Sequence, residues 1–190
     1  MYRSGHGYAA LRKGRVSVPH ATYFVTLCVL ECRKRVYARS SAIRLCSLVT
    51  TAGQGGLPIC LEFIRQVLVE MERDNAIQLR AGVVMPDHVH LLFRLGECLT
   101  FSQVIGRFKA KIRRPIFECG LMWQQNVFEH RLRPDEGVLP VLHYMFMNPY
   151  RKGLIGTNER WSGFFCGEDD WQWFQTHLHH ELPYPEWLDR

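Results

Sequence analysis

Residues 83–95 form a long apolar run that is interrupted only at Pro86-Asp87, at its histidines and at Arg94. Val, Leu and Phe dominate the run, as is typical of buried strands, and a Pro-Asp pair favours a tight turn. The segment therefore predicts two strands, Ile77–Met85 and His88–Leu95, joined by a tight connection. Two strands joined so closely must run antiparallel, which restricts the fold to those built on an antiparallel or mixed sheet.

Hydrophobic periodicity predicts the other elements. These are a strand at Thr22–Leu30, helices at Leu57–Arg73 and from Thr100 or Ser102 to about Arg113, a strand at Trp123–Leu132, a helix from Pro134 to about Met147, and weaker helix candidates at Ala42–Thr51 and Tyr150–Ile155. The order β-α-β-β-α-β-α is that of the ferredoxin-like split βαβ pattern. We therefore expect an α+β fold with an antiparallel sheet, helices packed on one face, and a second face able to carry a site.

A chain of 190 residues favours a single domain with additions at its ends. The predicted parts are a basic N-terminal arm (1–20), a central domain (21–160) and an acidic, aromatic C-terminal tail (161–190). Seven cysteines without a Cys-x-x-Cys spacing predict reduced thiols rather than a disulfide framework or a zinc ribbon. No apolar run is long enough to span a membrane and the first residues lack a signal-peptide core, so we expect a cytoplasmic protein.

Charge is distributed unevenly along the chain. Residues 1–158 carry 22 basic and 11 acidic side chains, whereas the residues from Glu159 onward carry seven acidic and two basic ones. A basic body with an acidic tail fits a surface that binds a polyanion such as nucleic acid, and a tail that folds over this surface as an inhibitor. The alternatives are ordinary solvated charge and a tail that simply docks on the domain.

Two histidines lie two residues apart at the start of the second predicted strand of the pair. On a strand, His88 and His90 point to the same face, and two neutral imidazoles supply half of a divalent-metal site. Strand histidines are also frequently structural. The sequence continues with Leu92 and Phe93, so the His-x-His-x-Asp-His pattern of metallo-β-lactamase-type hydrolases is disfavoured.

A tyrosine and an asparagine, Tyr144 and Asn148, are four residues apart and therefore share one face of the predicted helix. They can equally be a core tyrosine and a helix-terminal asparagine before Pro149. Next to the histidine pair, they suit metal-assisted attack by a tyrosine on a phosphodiester. Magnesium prefers oxygen ligands whereas imidazole suits softer ions, so manganese is a natural compromise.

Four segments together resemble the REP-associated tyrosine transposases, which belong to the single-tyrosine HUH transposases with an IS200-like transposase domain. The matching segments are Arg12–Ser17 with Tyr23–Thr26, Val84–Leu92 with its His-hydrophobic-His core, Trp123–Arg133, and Tyr144–Ile155. The resemblance extends from about Leu11 to Trp161 and fades beyond it. Asp87 departs from the usual asparagine, and Tyr150 from the usual small apolar residue.

The resemblance implies a nuclease domain at 21–160 that cuts and rejoins single-stranded or hairpin DNA of repetitive palindromes. It implies that Tyr144 forms a 5′-phosphotyrosine link, and that His88, His90 and Asn148 hold Mg²⁺ or Mn²⁺. It leaves open whether the protein is a monomer or a homodimer. A catalytically retired DNA-binding protein of the same fold is the alternative, although its four site residues are intact. A metal-dependent RNA nuclease would leave Tyr144 without a role.

Basic side chains in three segments are the candidate DNA contacts, because phosphates attract Lys and Arg. They are Arg12, Lys13 and Arg15 in the arm, Arg107, Lys109, Lys111 and Arg113 on a predicted helix, and Arg131 and Arg133 at the fourth predicted strand. The alternative for each group is a solvated basic surface.

Overall fold

The computed structural model describes residues 17–31 and 59–189. Within these ranges lie six strands and four α-helices. The strands are β1 (Thr22–Glu31), β2 (Ile77–Val84), β3 (His88–Leu95), β4 (Leu121–Trp123), β5 (Phe128–Arg131) and β6 (Phe164–Cys166); the helices are α1 (Ile59–Arg73), α2 (Phe101–Glu118), α3 (Leu139–Arg151) and α4 (Glu168–Phe174). The helix candidate Ala42–Thr51 and the basic residues Arg12, Lys13 and Arg15 lie outside the described residues.

The strands form one sheet in the order β4-β1-β3-β2-β6, and β5 also pairs with β1. Each pairing is antiparallel, so the predicted α+β fold with an antiparallel sheet is confirmed. The strand predicted at Trp123–Leu132 is instead two short strands on the same edge of β1. Trp123 pairs with Val29 and Phe128 with Thr26. Between these two pairs, residues 124–127 stand opposite only residues 27 and 28 of β1, so the ladder of backbone hydrogen bonds is interrupted.

Helices cover both faces of the sheet, which corrects the expectation that they pack on one. Helices α1 and α2 pack on one face over Leu27, Leu91 and Phe93, as expected. Helices α3 and α4 pack on the opposite face, over a second core that includes Val83 and Leu92. The central strands β2 and β3 bury consecutive residues, which point alternately to the two faces of the sheet. A strand with two apolar faces requires cover on both sides.

The helix boundaries differ from the predicted ones for local reasons. Helix α2 begins with a capping box in which Thr100 and Gln103 exchange hydrogen bonds. It continues past Arg113 because Ile116, one turn further on, is buried against the core. Helix α3 starts at Leu139 rather than Pro134, because the Glu136 carboxylate accepts bonds from the Arg133 N–H and from His130 and holds these residues in a loop. The short helix predicted at Tyr150–Ile155 is the end of α3 followed by a turn.

The residues after 160 add to both the sheet and the core. Strand β6 pairs with β2, with Phe164 opposite Val83. The Arg80 guanidinium on β2 makes a two-pronged ion pair with the Asp170 carboxylate on α4. Phe174 is fully buried and its ring lies 5.4 Å from that of Phe146 on α3. The C-terminal segment therefore completes the second face of the sheet.

Two further observations bear on the composition. The five cysteines that the structure describes are free thiols. Among residues 17–31 and 59–189, no helix has the length and apolar character that crossing a membrane requires.

Candidate active site

The two histidines of β3 lie side by side on the face of the sheet that carries α3. Their rings are 4.5 Å apart between centroids, and the two Nε2 atoms are separated by 3.0 Å. This follows from the strand alternation that the sequence predicted. Val89 and Leu91, which alternate with them, are buried in the opposite core.

The ring of His90 is almost completely enclosed, with 3 % of its surface exposed. Thr26 on β1 is its register partner, and the Thr26 Oγ1 lies 2.9 Å from His90 Nδ1. Phe24 stacks on the ring at 5.2 Å. Burial, and secondarily the nearby charge of His88, lower the pKa of His90 to about 3. At neutral pH His90 is therefore an uncharged imidazole with a lone pair available to a ligand.

His88 is held by its neighbour in the chain. The Asp87 Oδ1 lies 2.6 Å from His88 Nδ1, and because a carboxylate only accepts, Nδ1 carries the proton. The other ring nitrogen, Nε2, faces His90. The turn before β3 thus supplies the orienting carboxylate, and Asp87 is itself well exposed.

Helix α3 brings the other two predicted site residues to the same place. The Asn148 side chain is 6 % exposed, and its amide nitrogen lies 3.0 Å from His90 Nε2. Tyr144, one turn earlier, has its ring 5.5 Å from that of His90 and 5.9 Å from that of Phe24. Tyr144 is 44 % exposed, so its phenol is open to a substrate. The structure therefore assembles the four residues singled out by sequence.

The donor set fits a divalent cation. Two imidazole nitrogens and a side-chain amide converge, and both imidazoles are oriented from behind by Asp87 and Thr26, as metal-binding histidines usually are. Within the described residues no group of three or more His, Cys, Asp or Glu side chains is placed to hold a metal ion. A metal ion held here would therefore need Asn148, through its carbonyl oxygen, as the third ligand.

The basic residues of α2 lie on the opposite face of the sheet from the histidines. Arg107 makes an ion pair with Asp74, and Lys111 Nζ lies 2.6 Å from the Glu70 carboxylate. Lys109 donates to the Gln124 carbonyl at 2.6 Å, close to the strand end where β3 begins. Arg113 is exposed.

Of the two arginines near β5, Arg131 does not share the face of the histidines either. Arg131 is the register partner of Tyr23, whose ring packs in the α1–α2 core. Arg133 is exposed in the loop that follows β5. Contacts of these side chains with a nucleic acid remain predictions.

No local pattern assigned Thr26 or Phe24 to the site, although both contact His90. Their positions depend on the register of β1 against β3, which joins residues 60 or more positions apart in the chain. An alternating pattern at Thr22–Leu30 identified the strand but not its partner.

The site places a strand-borne histidine pair opposite a helix-borne tyrosine and asparagine. Residues 58–131 match the family described as "Transposase IS200 like". This match includes both histidines and ends before Tyr144.

The chain is also similar to individual proteins. It is 24 % identical over 102 residues to the "REP-associated tyrosine transposase" of Escherichia coli strain K12, covering 53 % of this chain and 61 % of that protein. It is 26 % identical over 93 residues to a similarly named Haemophilus influenzae protein, covering 41 % and 52 %. The chain thus spans between half and two thirds of these curated relatives. The resemblance inferred from the sequence is confirmed.

A solved structure shares the fold. It is described as the REP-associated tyrosine transposase bound to a REP hairpin, is 23 % identical, and covers 79 % of both chains with a TM-score of 0.56. At this identity the likeness establishes the common architecture.

Proposed function

We propose that this protein is a single-stranded DNA endonuclease and strand transferase that cuts and rejoins hairpin DNA through a covalent phosphotyrosine. The observation that carries the proposal is the convergence of Tyr144 and Asn148 with the histidine pair on one sheet face. The relatives named above are REP-associated tyrosine transposases, and the structural neighbour is bound to a REP hairpin. A hairpin with a single-stranded flank is therefore the proposed substrate.

Each side chain has a separate task in the proposed reaction. The Tyr144 oxygen attacks the phosphorus of a phosphodiester, forming a new bond to the phosphate. The bond from phosphorus to the 3′ oxygen breaks, and that oxygen leaves as a free 3′-OH. The phenolic proton passes to solvent, and the leaving 3′ oxygen takes a proton from solvent. Because the phosphotyrosine preserves a phosphoester bond, a 3′-OH of another strand can reverse the step and join to the held 5′ end.

The remaining residues prepare the site for the charge of the phosphate. His88, His90 and Asn148 would hold the divalent cation, and a bound cation polarises a phosphate and offsets the charge that develops on its oxygens. Thr26 and Asp87 fix the orientation of the two rings. Phe24 packs against both His90 and Tyr144, so the tyrosine keeps a defined position beside the histidines.

A denaturing gel tests the proposal. The protein is incubated with a labelled hairpin oligonucleotide that has a single-stranded flank, with Mn²⁺ or Mg²⁺, and repeat-derived and random flanks are compared. We expect a slowly migrating band that resists denaturation and requires the metal. It should disappear in Tyr144→Phe, which lacks the nucleophile, and persist in Tyr184→Phe, a comparably exposed tyrosine that packs on Trp187.

Two results would contradict the assignment. Cleavage that survives Tyr144→Phe would mean that another group is the nucleophile. Tight binding of the hairpin without an adduct, on every flank tried, would favour a catalytically retired DNA-binding protein of this fold.

A further inference from the structure

We propose that Phe128, with Leu30 and its register partner Met122 further along β1 on the same face of the sheet, forms a platform on which bases of the single strand stack next to the tyrosine site. This inference rests on the proposed function and assigns the path of the substrate. The three side chains are hereafter the stacking platform. The occupant is the unpaired flank of the DNA, held through its base faces rather than its phosphates.

The platform lies on the same face of the sheet as the histidines. His90 pairs with Thr26, and Thr26 pairs in turn with Phe128, so the three form one row across β3, β1 and β5. Directly paired residues point to the same side of a sheet. With adjacent strands separated by about 4.8 Å, Phe128 stands about 10 Å from His90, within reach of a nucleotide near the reacting phosphate.

The other two members continue this surface along β1. Leu30 and Met122 are register partners across β1 and β4. Their neighbours Val29 and Trp123 pack against the α1–α2 core, so Leu30 and Met122 point to the opposite side, which is that of the histidines. The apolar surface therefore borders the site along two directions of the sheet.

All three side chains are strongly exposed for apolar residues. Phe128 is 62 % exposed, Leu30 is 51 % and Met122 is 50 %. Leu30 and Met122 adjoin each other across two strands, and exposed apolar patches mark binding surfaces. Tyr144, at 44 %, opens on the same face, so a strand whose phosphate reaches the phenol would pass beside the platform.

A nucleobase fits this surface better than other apolar partners. A base presents a flat apolar face whose ribose-phosphate remains in water, and aromatic side chains bind such faces with little regard to sequence. Residues 1–158 carry a net positive charge of +11, which attracts a polyanion. Trp123, the other aromatic candidate of this region, packs against Phe108 and donates its N–H to the Lys109 carbonyl, so the exposed ring that remains is Phe128.

The test is a binding experiment with single-site variants. A fluorescent DNA hairpin with a single-stranded flank of mixed sequence is titrated in EDTA, so that no cleavage occurs, and the dissociation constant is measured by anisotropy. Phe128→Ala should weaken binding by about 5- to 150-fold, whereas Phe128→Trp should bind like the unmodified protein. Phe117→Ala, which removes a ring with 51 % exposure on α2, is the matched control and should have no effect.

Abasic substitutions in the flank identify the contact. One abasic position should weaken binding to the unmodified protein and have little further effect on Phe128→Ala, because the stacking partner is already gone. Equal losses in both proteins at every position would overturn the proposal.

The outcomes separate this inference from the proposed function. If the protein forms the Tyr144 adduct and Phe128→Ala binds as tightly as Phe117→Ala, the platform is wrong while the function stands. If Phe128→Ala changes the sedimentation coefficient without changing DNA affinity, the surface joins two copies of the chain, and the proposal is overturned. If the unmodified protein neither binds nor forms an adduct, both proposals fail together.

Discussion

The Nε2 atoms of His88 and His90 face each other at 3.0 Å. The other nitrogen of each ring is engaged by an oxygen, that of Asp87 or that of Thr26. Since the Asp87 carboxylate fixes the proton of His88 on Nδ1, its Nε2 lone pair points at His90 when the ring is neutral. A positive ligand shared by the two rings would stabilise this arrangement, and we propose that a divalent metal cation is that ligand.

We therefore predict that the unmodified protein binds Mn²⁺ and that His88→Ala and His90→Ala each weaken this binding by more than about 100-fold, since loss of an outer partner alone typically costs 10–100-fold. Isothermal titration calorimetry measures the affinity. His180→Ala is the control, because the tail holds a second close histidine pair, His179 and His180, with ring centroids 4.5 Å apart. A loss of binding in the control alone would place the metal in the tail.

Thr26→Val tests how His90 is oriented. Valine has nearly the same shape as threonine but cannot bond to His90 Nδ1, so the ring loses the partner that orients it. We expect Mn²⁺ affinity to fall by about 10- to 100-fold, and the free energy of unfolding to fall by about 1 kcal/mol. Thr22→Val, on the same strand and face, should leave the affinity unchanged. Equal affinities in the two variants would show that Thr26 does not orient the ring.

The pH dependence of stability follows from the same histidine. Burial lowers the pKa of His90 from 6.5 to about 3, so the unfolded chain binds a proton that the folded protein does not. The contribution of His90 to the free energy of unfolding is complete above pH 6.5. It is lost as the pH falls toward 3, with a slope of up to about 1.4 kcal/mol per pH unit.

Urea unfolding in EDTA at a series of pH values measures this slope. His90→Gln should flatten it, whereas His20→Gln, which removes an exposed histidine near Glu97, should not. A slope unchanged in His90→Gln would show that other groups cause the acid sensitivity.

Some of the site was predictable because it depends on local geometry. Strand alternation puts His88 and His90 on one face, and helix periodicity does the same for Tyr144 and Asn148. The two pairs meet only because α3 packs over the start of β3. No local sequence pattern predicts this packing. The cover on the second face of the sheet was predictable from the sequence. Ala81–Met85 is apolar at every position, as is typical of a strand buried on both sides.

The C-terminal residues are an acidic tail by composition, but one of their aromatic side chains belongs to the core. Phe174 is fully buried, and its ring lies 5.4 Å from Phe146 and 6.3 Å from Phe164. Phe174→Ala should therefore lower the free energy of unfolding by about 3–5 kcal/mol, as expected for a large ring removed from a core. Trp173→Ala, its 43 % exposed neighbour, should change it by less than about 1 kcal/mol. Chemical denaturation of both variants measures the difference. A small effect of Phe174→Ala would mean that the segment after residue 160 only docks on a domain that is stable without it, whereas a large effect makes α4 a structural support of the face that carries α3 and the candidate site.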